Sequence, residues 1–174
     1  MPLADTLLRM AETPRLYLPK WSDETLNEIT RNLVGKWNKT QEQAERRERV
    51  MRQHFPESLV EGYEDLTGAM KNDPKDRHVL AAAVMSGTKL IVTFNAKHFP
   101  PESLEPYGIE RYGPSTFLIG LYDLEPGIVS VKLAEQAQAI GISLEDLLRK
   151  LRANVPGFVT FFCEEQKIDL SGLG

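Results

Sequence analysis

The sequence predicts a mixed α/β fold, a short parallel sheet flanked by helices, followed by a helical extension. Three observations lead there. Lys89–Phe94 (KLIVTF) is a short β-branched run bounded by Gly87 and Asn95, and its Leu-Ile-Val centre is continuous rather than alternating, which suits a strand covered on both faces. A helix is read directly before it, over residues 73–86, as the crossover of an α/β unit requires. After Gly113–Pro114 the character changes, and residues 115–166 read as mostly helical. At about 150 residues per domain, a chain of 174 residues is roughly one domain with an appendage, divided here into an α/β domain over 1–113 and a helical extension over 114–174.

The elements follow from local signals. Leu3, Leu7, Leu8 and Met10 give an amphipathic helix over residues 3–12, which Pro14 ends, and Leu16–Pro19 is a short extended piece. Ser22 is an N-cap for a helix from Asp23 to about Val34, with Asp23 and Glu24 in the first turn, where the helix dipole favours acids. Leu26, Ile29 and Leu33 form its apolar stripe. Residues 36–54 are highly charged, with a local excess of three positive charges from Lys36, Lys39, Arg46, Arg47, Arg49 and Arg52 over Glu42, Glu45 and Glu48. Glu45 and Arg49 stand four apart, a favourable helical pair, and Pro56 stops this helix. Leu59–Tyr63 reads as a further short strand.

The clearest helix start is at Asp73, an N-cap, followed by Pro74 at N1 and Asp76 at N3. Val79, Leu80, Ala83 and Val84 make its apolar stripe, and Gly87 closes it. Ile109–Tyr112 reads as another short strand. In the tail, Ser143 and Asp146 mark a capped start, Leu144, Leu147, Leu148 and Leu151 follow at helical spacing, and Pro156 opens a last helix lined by Phe158, Phe161 and Phe162.

Composition narrows the function. Hydrophobic residues at 41% and charged residues at 26% are ordinary for a globular chain. A net charge of −4 excludes a uniformly basic nucleic-acid coat but leaves room for a local basic patch. No run approaches the roughly 18 to 20 apolar residues of a membrane helix, and no secretion signal is evident, so a cytoplasmic protein is expected. The single Cys163 excludes an internal disulfide and reads as an inert thiol.

Neither a G-x-x-x-x-G-K-[ST] phosphate loop nor a G-x-G-x-x-G turn is present, and His54, His78 and His98 lack zinc-ligand spacing. What remains is oxygen chemistry. Asp73 and Asp76 stand at a helix start, and Thr93 and Asn95 stand at the exit of a central strand, the rim where open α/β sheets bind ligands. Carboxylates with an amide oxygen suit a hard cation such as Mg²⁺ or Mn²⁺. Plainer readings stand beside this one: Asp73 as a cap, Asp76 as a dipole complement, Glu28 as a solvated residue near Arg31 or Asn32, Asn95 as a turn residue, His98 as an exposed residue, and the 36–54 cluster as a solvated face.

The stretch DPKDRHVLAAAVMSGTKLIVTFNAKHFP (73–100) resembles the signature of PIN-domain ribonucleases, including VapC-like toxins: an acid opening a helix, small residues, then a strand ending in T-x-[DN]-x-x-D-F. WSDETLNEITRNL (21–33) resembles the family helix that bears the second acid. The resemblance covers roughly residues 3–112, and the tail is similar to the helical extension of one branch. It implies a three-layer PIN-like fold and Mg²⁺- or Mn²⁺-dependent cleavage of RNA by metal-activated water. Glu28, Asp76 and Asn95 would be metal ligands and Thr93 an orienting hydroxyl, with Asp73 left as a cap. Arg77, Lys97, Arg46 and Arg49 would position the phosphate backbone. RNA, an antitoxin protein and a second copy of the chain are the partners implied.

Two departures stand out. His98 replaces the family's Asp before Phe99, a position treated as secondary. The family's opening strand, with its Asp, has no counterpart before Pro2, an expectation explained by a start set too late, by a partner or rearrangement filling the slot, or by a degenerate relative; the first is favoured because the rest of the site is retained. The alternative functions are a catalytically inactive PIN-like module that binds RNA or a partner protein, and a DNA-directed nuclease.

Overall fold

The computed structural model describes residues 2–169; Met1 and the last five positions of the expected extension (170–174) lie outside it. In chain order the elements are α1 (Pro2–Ala11), α2 (Asp23–Gly35), α3 (Gln41–His54), α4 (Glu64–Thr67), α5 (Arg77–Met85), β1 (Leu90–Val92), α6 (Pro101–Leu104), β2 (Glu110–Tyr112), α7 (Pro114–Leu124), α8 (Pro126–Ala139), α9 (Leu144–Arg152) and α10 (Pro156–Gln166). Single 3₁₀ turns intervene at Pro56–Ser58, Pro74–Asp76, Ala96–His98 and Glu105–Tyr107. The chain divides into two compact units, residues 19–111 and residues 2–18 with 112–169.

The contiguous unit is mostly helical around a two-stranded parallel sheet, β1 beside β2, in which Glu110 N donates to Lys89 O at 2.9 Å. This is compatible with the α/β class. Its core gathers Leu80, Ala81, Ile91, Met70, Phe99 and Leu104. Ile91 is buried, whereas Leu90 and Val92 are only half-buried, so the strand expected to be covered on both faces is fully covered on one. A second strand over Leu59–Tyr63 does not form. Only a parallel bridge joins Trp21 to Leu59, because Gly62 turns into the left-handed region (φ +73°) and breaks the extended run.

Two of the expected caps bind as read: Ser22 Oγ accepts from Thr25 N at 3.2 Å, and Ser143 Oγ accepts from Asp146 N at 3.0 Å. Beyond α2 the charged segment begins with a reciprocal capping box, Thr40 Oγ1 accepting from Gln43 N and Gln43 Oε1 accepting from Thr40 N.

The second unit corrects the boundary drawn at 113. α1 belongs with the helical tail, not with the α/β body, because Leu3 and Met10 enter the same core as Leu118, Val129, Leu133, Leu147, Leu151, Phe158 and Phe162. Polar contacts fasten it there. Gln136 Nε2 donates to Pro2 O (2.9 Å), Thr6 Oγ1 donates to Gln136 Oε1 (2.7 Å), and Lys132 Nζ donates to Arg9 O (2.7 Å) and Glu12 O (3.0 Å) at the end of α1. Burial pushes the Lys132 ammonium below its ordinary range. Cys163 is buried in this core and its thiol is pushed up by that burial, which agrees with an inert group. No helix among the described residues is long and apolar enough to cross a membrane.

Candidate functional site

The site is assembled by two turns. The first is the start of α5. Asp73 caps it as expected, its Oδ1 accepting from Lys75 N at 3.0 Å. The helix expected over 73–86 is not continuous, however: a 3₁₀ turn over Pro74–Asp76 precedes α5, and Asp76 lies outside helical geometry (φ −112°, ψ 13°) with no side-chain capping bond. Its carboxylate is therefore not the dipole complement at N3 that local spacing implied, and it is left for longer-range contacts. Asn72 steadies the turn, Nδ2 donating to Asp76 O at 3.0 Å.

The second is the exit of β1. Asn95 N donates to Thr93 Oγ1 at 2.9 Å, which fixes the loop immediately after the strand. The chain then closes through the Ala96–His98 turn, and Asp73 N donates to His98 O at 3.1 Å, tying the two turns together.

Side chains from both turns converge. His98 Nδ1 contacts Asp76 Oδ2 in a short interaction, the Asn95 amide lies 2.8 Å from the same ring nitrogen, and His98 Nε2 is 3.8 Å from Asp73 Oδ2. One potential ligand atom each from Asp73, Asp76 and His98 falls within 4.8 Å of the others, all on half-buried residues. His98 Nδ1 cannot donate to Asp76 and accept from Asn95 at once. Either tautomer therefore leaves one of these two contacts unmet. The donor set, two carboxylates, an amide and one imidazole, fits Mn²⁺ or Mg²⁺.

The sequence-predicted residues divide accordingly. Asp76 and Asn95 come together at His98 Nδ1, and Thr93 Oγ1 accepts from Asn95 N in the loop after β1. Glu28 is not in the close group. It projects from α2 toward His78 of α5, with Oε2 at 3.8 Å from Nε2, while Glu24 Oε1 is 3.8 Å from Nδ1 of the same imidazole. It is thus half-buried against a buried histidine rather than a freely solvated residue. Arg77 is half-buried, with Nε sealed from solvent and without a hydrogen-bond partner. Lys97 is exposed beside the site, and Arg46 and Arg49 are exposed on α3. Sequence reasoning missed His98, read as exposed, and, having weighed Asp73 among the carboxylates, kept it as a cap rather than a ligand. The available signal was the chemistry of the substitution, because an imidazole in place of a carboxylate is still a ligand.

The class this stretch resembles is the VapC-like PIN-domain ribonucleases. Among curated proteins, the chain is 54% identical over 63 residues to one from Mycobacterium tuberculosis named "Putative ribonuclease VapC50". The match covers 36% of this chain and 37% of that protein, so little more than a third of the relative's length is spanned. No known family model matches the chain. No solved structure matches it.

Proposed function

We propose that the chain is a metal-dependent endoribonuclease of the PIN class, with the three-layer PIN-like arrangement around β1, acting as the toxin of a toxin–antitoxin pair. The observation that carries this reading is the convergence of Asp76, Asn95 and His98 from a helix start and a strand exit, in a chain similar to a protein named as a ribonuclease. A bound Mg²⁺ or Mn²⁺ would supply Lewis-acid stabilisation of the phosphoryl oxygens and a more acidic water. Asp76, Asn95 and Glu28 would hold it, joined by His98 and Asp73. Thr93 keeps Asn95 in place, and Arg77, Lys97, Arg46 and Arg49 position the RNA backbone. An antitoxin protein and a second copy of the chain are the proposed protein partners.

The experiment is cleavage of labelled single-stranded RNA with Mg²⁺ or Mn²⁺, with EDTA as control, by the wild type and by Asp76→Asn. Outer-shell partners of a metal typically contribute tenfold to hundredfold, so losing a direct ligand should cost at least about hundredfold. Equal cleavage by Asp76→Asn overturns the assignment. One observation favours a non-cutting module instead, the position of Glu28 against His78 rather than in the close group. Calorimetry showing no saturable uptake of either ion, with RNA binding retained, would select that alternative.

A further inference from the structure

Phe94 is placed where a nucleobase could be held. It lies between Thr93 and Asn95, and 66% of its surface is in water. Five positions on, Phe99 shows the ordinary fate of such a ring in this unit, buried to 2% in the core. Phe94 belongs to none of the ring pairs among the described residues and is not part of the core cluster around Ile91. Its backbone is nevertheless held. Asn95 N is bonded to Thr93 Oγ1, and the Asn95 side chain is bonded to His98, so the ring is presented from a fixed turn. Exposed ammonium groups lie on the same two turns, Lys97 after Asn95 and Lys75 after Asp73. A large, rigid apolar ring in water, three positions before the exposed Lys97 and adjacent in sequence to Asn95 of the close group, is the composition of a single-strand stacking platform.

We propose that Phe94 stacks on an unpaired base of single-stranded RNA next to the phosphate presented to the Asp76–Asn95–His98 group, making it a substrate-positioning residue that tolerates any base. The inference rests on the ribonuclease reading, which supplies the substrate. A duplex cannot offer this ring an open base face, so the platform selects unpaired segments. Lys97 and Lys75 contribute backbone attraction without sequence preference.

The test is fluorescence anisotropy of the full chain with a labelled random-sequence oligoribonucleotide in EDTA, which prevents cleavage, alongside an abasic oligomer of equal length. Wild type, Phe94→Ala, Phe94→Tyr and Phe94→Trp are compared, with circular dichroism confirming the fold of each. Phe94→Ala should weaken binding to the base-bearing RNA roughly fivefold to hundredfold. Tyr and Trp should restore it, and binding to the abasic oligomer should be the same in all four. In cleavage assays, Phe94→Ala should raise KM more than it lowers kcat. Unchanged affinity of Phe94→Ala, or an equal loss on the abasic oligomer, overturns the proposal. So does a loss of self-association with RNA affinity intact, which reassigns the ring to a protein interface. These failures leave the nuclease reading standing when Asp76→Asn still abolishes cleavage. A wild type that neither binds nor cuts RNA removes that reading itself.

Discussion

His98 and Asp76, 22 positions apart, meet through Nδ1 and Oδ2, and this contact joins the exit of β1 to the start of α5. An imidazole thereby stands among oxygen donors. Carboxylate and amide oxygens suit Mg²⁺, whereas imidazole shifts a site toward softer ions such as Mn²⁺. His98→Asp should therefore narrow the preference for Mn²⁺ over Mg²⁺ in paired calorimetric titrations. His98→Ala should weaken Mn²⁺ binding by about tenfold to hundredfold. An unchanged ratio of the two affinities in His98→Asp would show that the ring is not a ligand.

Asp73 carries two roles that substitutions separate. As a cap it bonds Lys75 N, and Asp73→Ala should lower unfolding stability by about 0.5–2 kcal/mol in urea titration. Asn also caps well, so Asp73→Asn should keep most of that stability while weakening Mn²⁺ uptake. Equal stability losses for both variants would contradict the capping role.

His78 is buried, with Nε2 lacking a hydrogen-bond partner, between two carboxylates that are each 3.8 Å away. A buried polar atom without a hydrogen bond costs stability. His78→Leu, close in size, should leave stability unchanged or raise it, as read by the midpoint of chemical unfolding. A loss of more than about 2 kcal/mol would mean that the imidazole makes a bond the present geometry lacks.

Lys132 links the end of α1 to α8. Lys132→Met leaves the carbonyls of Arg9 and Glu12 without this donor and should cost about 1–3 kcal/mol. The pH dependence has a defined sign. Burial holds the folded-state pKa below the ordinary 10.5, so the unfolded chain binds more protons in the window between the folded value and 10.5. This group therefore makes stability rise with pH through that window, and Lys132→Met should remove the rise. Urea titrations at two alkaline pH values check it.

What was legible in the sequence was what is decided within a few residues. The Ser22, Asp73 and Ser143 caps, the left-handed Gly87 after α5, the β1 run and the helical character of the tail all follow from local spacing. Asp76 was named as a ligand, but its geometry escaped, because a 3₁₀ turn competes with the α-helix over the same residues and its partner lies across the β1 loop. His98 escaped for the same reason, since nothing adjacent to it in sequence reveals the contact with Asp76. The placement of α1 was illegible because an amphipathic stripe says that a face is buried without saying against what. Here the answer lies more than a hundred residues away, at Lys132 and Gln136.

That placement makes the helical unit discontinuous, with residues 19–111 inserted into it. During synthesis α1 emerges before residues 19–111, while α8, α9 and α10, which complete its core, are made after them. At about 5–20 residues per second, Leu3 and Met10 remain without their native neighbours for on the order of ten seconds. Throughout that interval the ribosome-bound chain offers an uncovered apolar helix to chaperones and proteases.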